Sequence, residues 1–215
     1  MKRIVFSLLI GLLALTAPAQ SYWGVRVGYD ANLPGDFKAG DNSYEMFKNG
    51  SGFFAGAVYN HPIVAGLYIE PGAGLFYDSY KYSDLTISGQ DGMEDIFNPK
   101  VKKFGLRIPV RLGYYFDIFP SAGGVSVYTG PQFDIGLSGK LGISSQESQE
   151  YDIERNIYND FYGFRRVGMS WTVGANIYVG NWVVDISGAF GLTDMQKGAV
   201  SFHENRVSIG LGYNF

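Results

Sequence analysis

Cysteine is absent from the 215-residue chain, which removes disulfides, thiolate nucleophiles and cysteine metal sites from consideration. Histidine is nearly absent as well: His61 and His203 are the only two, too far apart in sequence to form a local metal motif. No P-loop, no HExxH zinc helix and no GxSxG nucleophile elbow occurs. After the first 19 residues no apolar run reaches the roughly 20 residues of a membrane-spanning helix. A convincing amphipathic helical period is missing too. Thiol chemistry, the familiar nucleotide and zinc enzyme classes and a bundle of membrane helices are therefore set aside.

What is present begins with an export signal. Residues 1–19, MKRIVFSLLIGLLALTAPA, carry Lys2 and Arg3, an apolar run from Ile4 to Leu15 and the small-residue site Ala17-Pro18-Ala19. This pattern predicts a secretory signal peptide cleaved after Ala19, with residues 20–215 as one domain. Cleavage removes two basic residues and no acid, taking the formal net charge from −3 to −5. Without a concentrated basic surface, nucleic acid is excluded as a partner.

The exported part is rich in glycine, 30 in the chain, and in aromatics at 16%, and its dominant period is two. Residues 207–215 set Val207, Ile209, Leu211, Tyr213 and Phe215 against Ser208, Gly210, Gly212 and Asn214. The same split of an apolar and a small or polar face recurs over residues 22–30, 67–78, 106–114, 125–135, 167–177 and 182–187. An eighth segment, residues 51–60, is strand-like with ambiguous parity. The links at 60–66, 117–124 and 179–181 are short, whereas those at 32–50, 83–100, 139–163 and 193–204 are long and polar. The expectation is an all-β fold: an eight-stranded antiparallel up-and-down transmembrane β-barrel in the outer membrane, both termini on the periplasmic, short-turn side.

A soluble lipocalin-like barrel would alternate in the same way, with its polar face in water. That face should then be rich in Lys and Glu. Here it holds mostly Gly, Ser, Thr and Tyr, with Arg26, Arg107, Arg111, Arg166 and Arg206 balanced by Asp30, Glu70, Asp78, Asp134 and Asp185. A balanced set suits an enclosed network, because an unpaired buried charge is prohibitive. Counting from the short turns predicts two adjacent ion pairs, Glu70 with Arg111 and Arg107 with Asp134.

The chain ends on an outward-facing aromatic, as expected of a strand finishing at a membrane interface. The order Ser208-x-Gly210-x-x-Tyr213-x-Phe215 matches the kind of C-terminal signal that barrel-assembly machinery reads. Together with GVRVGYDAN (24–32), GLYIEPGAGLFYDSY (66–80), LRIPVRLGYYF (106–116) and YTGPQFDIGLSGK (128–140), this end resembles the PorT-like outer-membrane β-barrel domain family over essentially the whole mature chain. The resemblance implies fold and location. Its members range from small structural barrels to accessory parts of secretion or uptake assemblies. The chain departs from it at Arg107, where members commonly carry glutamate, so the family's interior charge pattern does not transfer unchecked.

Candidate chemistry is thin, and neither a cofactor, a metal nor a catalytic set is expected. If the last strand began early, Ser201 and His203 would share the outward face of Val207, a conceivable nucleophile and base for lipid hydrolysis, but no orienting acid accompanies them. The acids Asp91, Glu94, Asp95, Glu147, Glu150, Asp152 and Glu154 lack the spacing and glycine of an EF-hand loop. The third long loop mixes acids with Tyr151, Tyr158, Phe161, Tyr162 and Phe164, side chains that anchor interfaces well. The expected function is that of a non-enzymatic outer-membrane barrel with a filled interior, acting through its loops or as an accessory subunit of an envelope complex; a lipid-modifying hydrolase and a small-solute channel are the alternatives. Its expected partners are outer-membrane lipids, the assembly machinery and an envelope protein or surface glycan.

Overall fold

The computed structural model describes residues 21–39, 42–44, 46–82, 85–88, 94–97, 99–119, 123–143, 153–159, 163–197 and 200–215. Eight long strands carry the fold: β1 (Tyr22–Pro34), β2 (Phe47–Val64), β3 (Leu67–Tyr82), β4 (Lys100–Phe119), β5 (Gly123–Ile143), β6 (Val167–Val179), β7 (Trp182–Gly191) and β8 (Glu204–Asn214). Each pairs antiparallel with its neighbours in sequence, and β8 pairs with β1 from Gly24↔Asn214 to Pro34↔Glu204, which closes the sheet into a barrel. Closure removes every edge, so each backbone group of the wall finds a partner without water.

The two rims differ in construction. At the rim where β1 begins and β8 ends, Ala65 (φ 45°) and Gly66 (φ 88°) alone join β2 to β3, and Gly180 (φ 57°) with Asn181 joins β6 to β7. Two-residue turns with positive φ match the right-handed twist of the strands they connect. At the opposite rim the strands run on into loop structure. Val200–Ser201 pairs with Phe37–Ala39, which pairs in turn with Asn42–Tyr44, and Ile153–Asn156 adds to β5.

Alternation sets the two faces of the wall. Along β1 the exposed Trp23, Val25, Val27 and Tyr29 alternate with Gly24, Arg26, Gly28 and Asp30, among which Arg26 and Asp30 are fully enclosed. A surface this apolar all round belongs in hydrocarbon. Its polar atoms are satisfied there: Trp171 Nε1 donates to Thr129 Oγ1 at 2.7 Å, and that hydroxyl donates to the Thr172 carbonyl at 3.1 Å. Aromatics mark both borders. Tyr29, Phe53, Tyr77 and Phe104 stand directly opposite one another across β1 to β4 on the loop side, and Trp23, Tyr59, Trp182, Tyr213 and Phe215 gather at the terminal rim, with Trp23 and Tyr59 centroids 4.9 Å apart.

The ambiguous parity of β2 resolves with Phe53, Ala55 and Ala57 outward and Phe54 inward, beneath Arg107 at 5.6 Å. Room for that ring comes from Gly28 on β1, where an added Cβ would lie 2.4 Å from Phe54. The alternation then breaks twice near the loop rim. β2 carries one extra residue between Lys48 and Ser51, and β5 one at Leu137, opposite the Phe104–Gly105 step. Each β-bulge reverses inside and outside beyond it, which turns Phe47 and Leu141 inward.

Candidate functional site

Inside the wall the polar side chains form tiers. In the tier at mid-height, Arg107 donates to Asp30 Oδ2 at 2.7 Å and to Asp134 Oδ1 at 3.1 Å, with Asp78 at 3.8 Å. Arg206 donates to Asp134 Oδ2 at 2.6 Å and to Asp78 Oδ2 at 3.4 Å. Neutral donors complete the carboxylates: Ser208 Oγ to Asp30 at 2.6 Å and Asn32 Nδ2 to Asp78 at 3.0 Å. Above them Lys103 pairs with Glu204, which also accepts from the Tyr80 hydroxyl at 2.9 Å. In the lower tier Arg111 Nη1 lies 3.3 Å from both Glu70 and Asp185, Arg26 approaches Glu70 at 3.7 Å, and Tyr128 donates to Asp185 at 2.6 Å. Closest to the termini the contents are neutral, with Tyr68, Ser126, Tyr178 and Asn176 hydrogen-bonded together.

Glu70 and Arg111 thus stand opposite each other across β3 and β4, and Arg107 and Asp134 across β4 and β5. Arg166 departs from the expectation. It is exposed, with its guanidinium 4.7 Å over the Tyr158 ring, and takes no part in the interior network. Lys103 and Glu204 occupy the interior in its stead. Lys103 was legible by parity, since it shares the face of Arg107 and Arg111, whereas Glu204 lies at the first residue of β8, inside what reads as loop.

The barrel mouth on the loop side is closed by an apolar cap. Phe47, Tyr80, Val101 and Leu141 from the strands pack with Ile157, Phe164, Met195 and Phe202 from the third and fourth loops, and Tyr158 and Tyr82 lie against them. Phe47 and Phe202 ring centroids are 4.8 Å apart. Below the cap, where Gly56 and Gly74 present no side chain, a cavity of about 40 Å³ remains beside Arg26, Arg107 and Arg111, room for a few waters.

The remaining expected residues fall as follows. Tyr158 was expected as an outward contact; it is half-buried on the cap, and burial pushes its hydroxyl pKa upward. Tyr151, Phe161 and Tyr162 lie outside the described residues. In the terminal signal Ser208 and Gly210 face inward, while the exposed Phe215 donates its N–H to the Trp23 carbonyl at 2.8 Å and stacks edge-on with Tyr213 at 5.3 Å. Ser201 belongs to the small rim sheet, not to β8, and His203 Nδ1 lies 3.2 Å from the Thr193 carbonyl. The premise of a shared outward strand face for Ser201 and His203 therefore fails. Among the described residues no cluster of metal-ligating side chains occurs.

A family model described as outer membrane protein beta-barrel domain matches residues 5–215. No curated protein matches the chain by sequence. Among solved structures, the attachment invasion locus protein Ail of Yersinia pestis, in complex with the heparin analogue sucrose octasulfate, aligns with 91% of this chain and 99% of its own at 15% identity and TM-score 0.46. Neisserial surface protein A aligns over 91% and 99% at 14% identity and TM-score 0.46. OprG of Pseudomonas aeruginosa aligns over 91% and 96% at 14% identity and TM-score 0.44.

Proposed function

The chain belongs to the outer membrane protein β-barrel domain family, and from that premise we propose a non-enzymatic outer-membrane barrel that works as a structural and interaction protein. Its surface of action is the loop rim, facing the cell exterior, with both termini in the periplasm; the partner is an envelope protein or a surface glycan, in the manner of the accessory barrels that the PorT-like motifs suggest. The observation that carries this reading is the doubly filled lumen: an ion network at mid-height lies under an apolar cap, which favours display over transport. A barrel filled in this way acts through what it displays.

The test is co-purification from mild detergent. Native protein is compared with a variant in which residues 144–152 of the third loop become a Gly/Ser linker. The variant is expected to fold and to lose the partner, because loops tolerate such replacement. Retention of every partner overturns the loop assignment. A change in lipid A mass between cells with and without the gene overturns the non-enzymatic one.

A further inference from the structure

Lysines line up on the outer wall just above the loop-side aromatics. Lys48 on β2, Lys81 on β3 and Lys100 on β4 are direct cross-strand partners in one row, and Lys102 on β4 faces Lys140 on β5 in the next. All five point outward, since each is flanked by an inward neighbour: Phe47, Tyr80, Val101 and Leu141 in the cap, and Lys103 in the network. Like charges directly opposite on adjacent strands destabilise a sheet, and three such pairs here adjoin. Glu154 answers Lys140, accepting from it at 2.5 Å. Among the described residues no carboxylate lies within ion-pair distance of Lys81, Lys100 or Lys102.

Height fixes the occupant. Lys102 stands two residues beyond Phe104, and Lys81 four beyond Tyr77, in the outward aromatic row, which is about 7 and 13 Å along the strands. That is the level of lipid headgroups above an aromatic girdle. A groove of about 290 Å³ lined by Leu137, Ser138, Lys140, Glu154, Arg155 and Asn156 adjoins the same rows.

We propose that the outward lysines Lys48, Lys81, Lys100, Lys102 and Lys140 form a docking surface for the phosphate-bearing headgroups of lipids in the leaflet at the loop rim. The anions relieve the cross-strand repulsion, and the lysines hold the barrel at a defined depth and rotation. Lys81, Lys100 and Lys102 supply the phosphate contacts; the groove beside Lys140 accommodates the bulk of a headgroup sugar. The inference rests on the membrane reading of the wall and not on the loop-rim function.

Binding is followed by native mass spectrometry of the folded barrel in mild detergent, with lipid A, with lipid A stripped of its phosphates, and with soluble inositol hexakisphosphate. Wild type is expected to bind phosphorylated lipid A at least about tenfold tighter than the dephosphorylated form. The Lys81→Gln/Lys100→Gln/Lys102→Gln variant should lose that preference, and an Arg165→Gln/Lys197→Gln control should keep it. Should the triple variant not migrate as a folded barrel, Lys100→Gln alone is expected to reduce the preference about threefold. Equal affinity for both lipid forms, or an unchanged preference in the lysine variants, overturns the proposal and leaves the loop-rim function standing. Inositol hexakisphosphate binding as tightly as the lipid overturns the commitment to a membrane headgroup.

Discussion

Arg107 concentrates the interior electrostatics in one side chain. Its guanidinium meets three aspartates and lies between the Phe54 and Phe76 rings, 5.6 and 5.1 Å from their centroids. Burying such an ion costs several kcal/mol, recovered only by complete pairing, so removing one partner strands the others. Arg107→Ala leaves Asp30, Asp78 and Asp134 with Arg206 as their arginine, and is expected to lower stability by about 3–5 kcal/mol, read as a fall in the urea midpoint. Lys140→Ala, which breaks the exposed pair with Glu154, should cost below about 1 kcal/mol. Adding Asp30→Asn to Arg107→Ala should recover part of the loss, since the orphaned charge is then reduced. A double variant no better than the single one would show that Arg107 acts through packing on the two rings rather than through charge.

At the scale of the strand, closure and continuity dominate. Phe215 N–H completes the terminal pairing of β8 with β1 and its ring sits in the terminal aromatic group, so deleting Phe215 is expected to slow barrel assembly and to leave unassembled chain in the periplasm; normal levels of heat-modifiable barrel would count against this. The eight strands, their short turns and the charged interior were legible in the alternation, because parity is conserved wherever a strand pairs without a bulge. The cap was not legible. Phe47 and Leu141 fall on the wrong parity for the interior until Asn49 or Gly50 on β2, and Leu137 on β5, are counted as the additional residue, and nothing in the local composition marks those positions. Deleting Leu137 should set Ser138 directly after Gly136 in a regular strand and keep Lys140 outward and Leu141 inward, so the midpoint should change little; a large fall would show that the bulge itself is needed. For the same reason, a linker replacing residues 144–160 would remove the fully buried Ile157 from the cap. It should destabilise the barrel by about 2–5 kcal/mol, which replacement of 144–152 should not.

For the whole molecule, an eight-stranded wall encloses only enough space for side chains to fill, and this chain fills it with two unlike materials. The apolar cap packs across the loop-side mouth, while the tiers below pair their charges across the lumen. The two closures are largely separate, joined by Tyr80 through its ring in the cap and its hydroxyl on Glu204. Wild type in planar bilayers is therefore expected to show no steady conductance. Phe47→Ala/Phe202→Ala opens the cap but leaves Arg107 and Arg206 locked across three aspartates, and should remain silent. Arg107→Ser/Asp134→Ser removes a neutral pair from the network but leaves the cap, and should also remain silent. Only the four substitutions together, recorded on protein that still resists unheated SDS as a folded barrel, should produce a steady open level. Conductance in the cap variant alone would mean that the charged tiers admit ions, and the reading of this barrel as a display scaffold would give way to that of a gated pore.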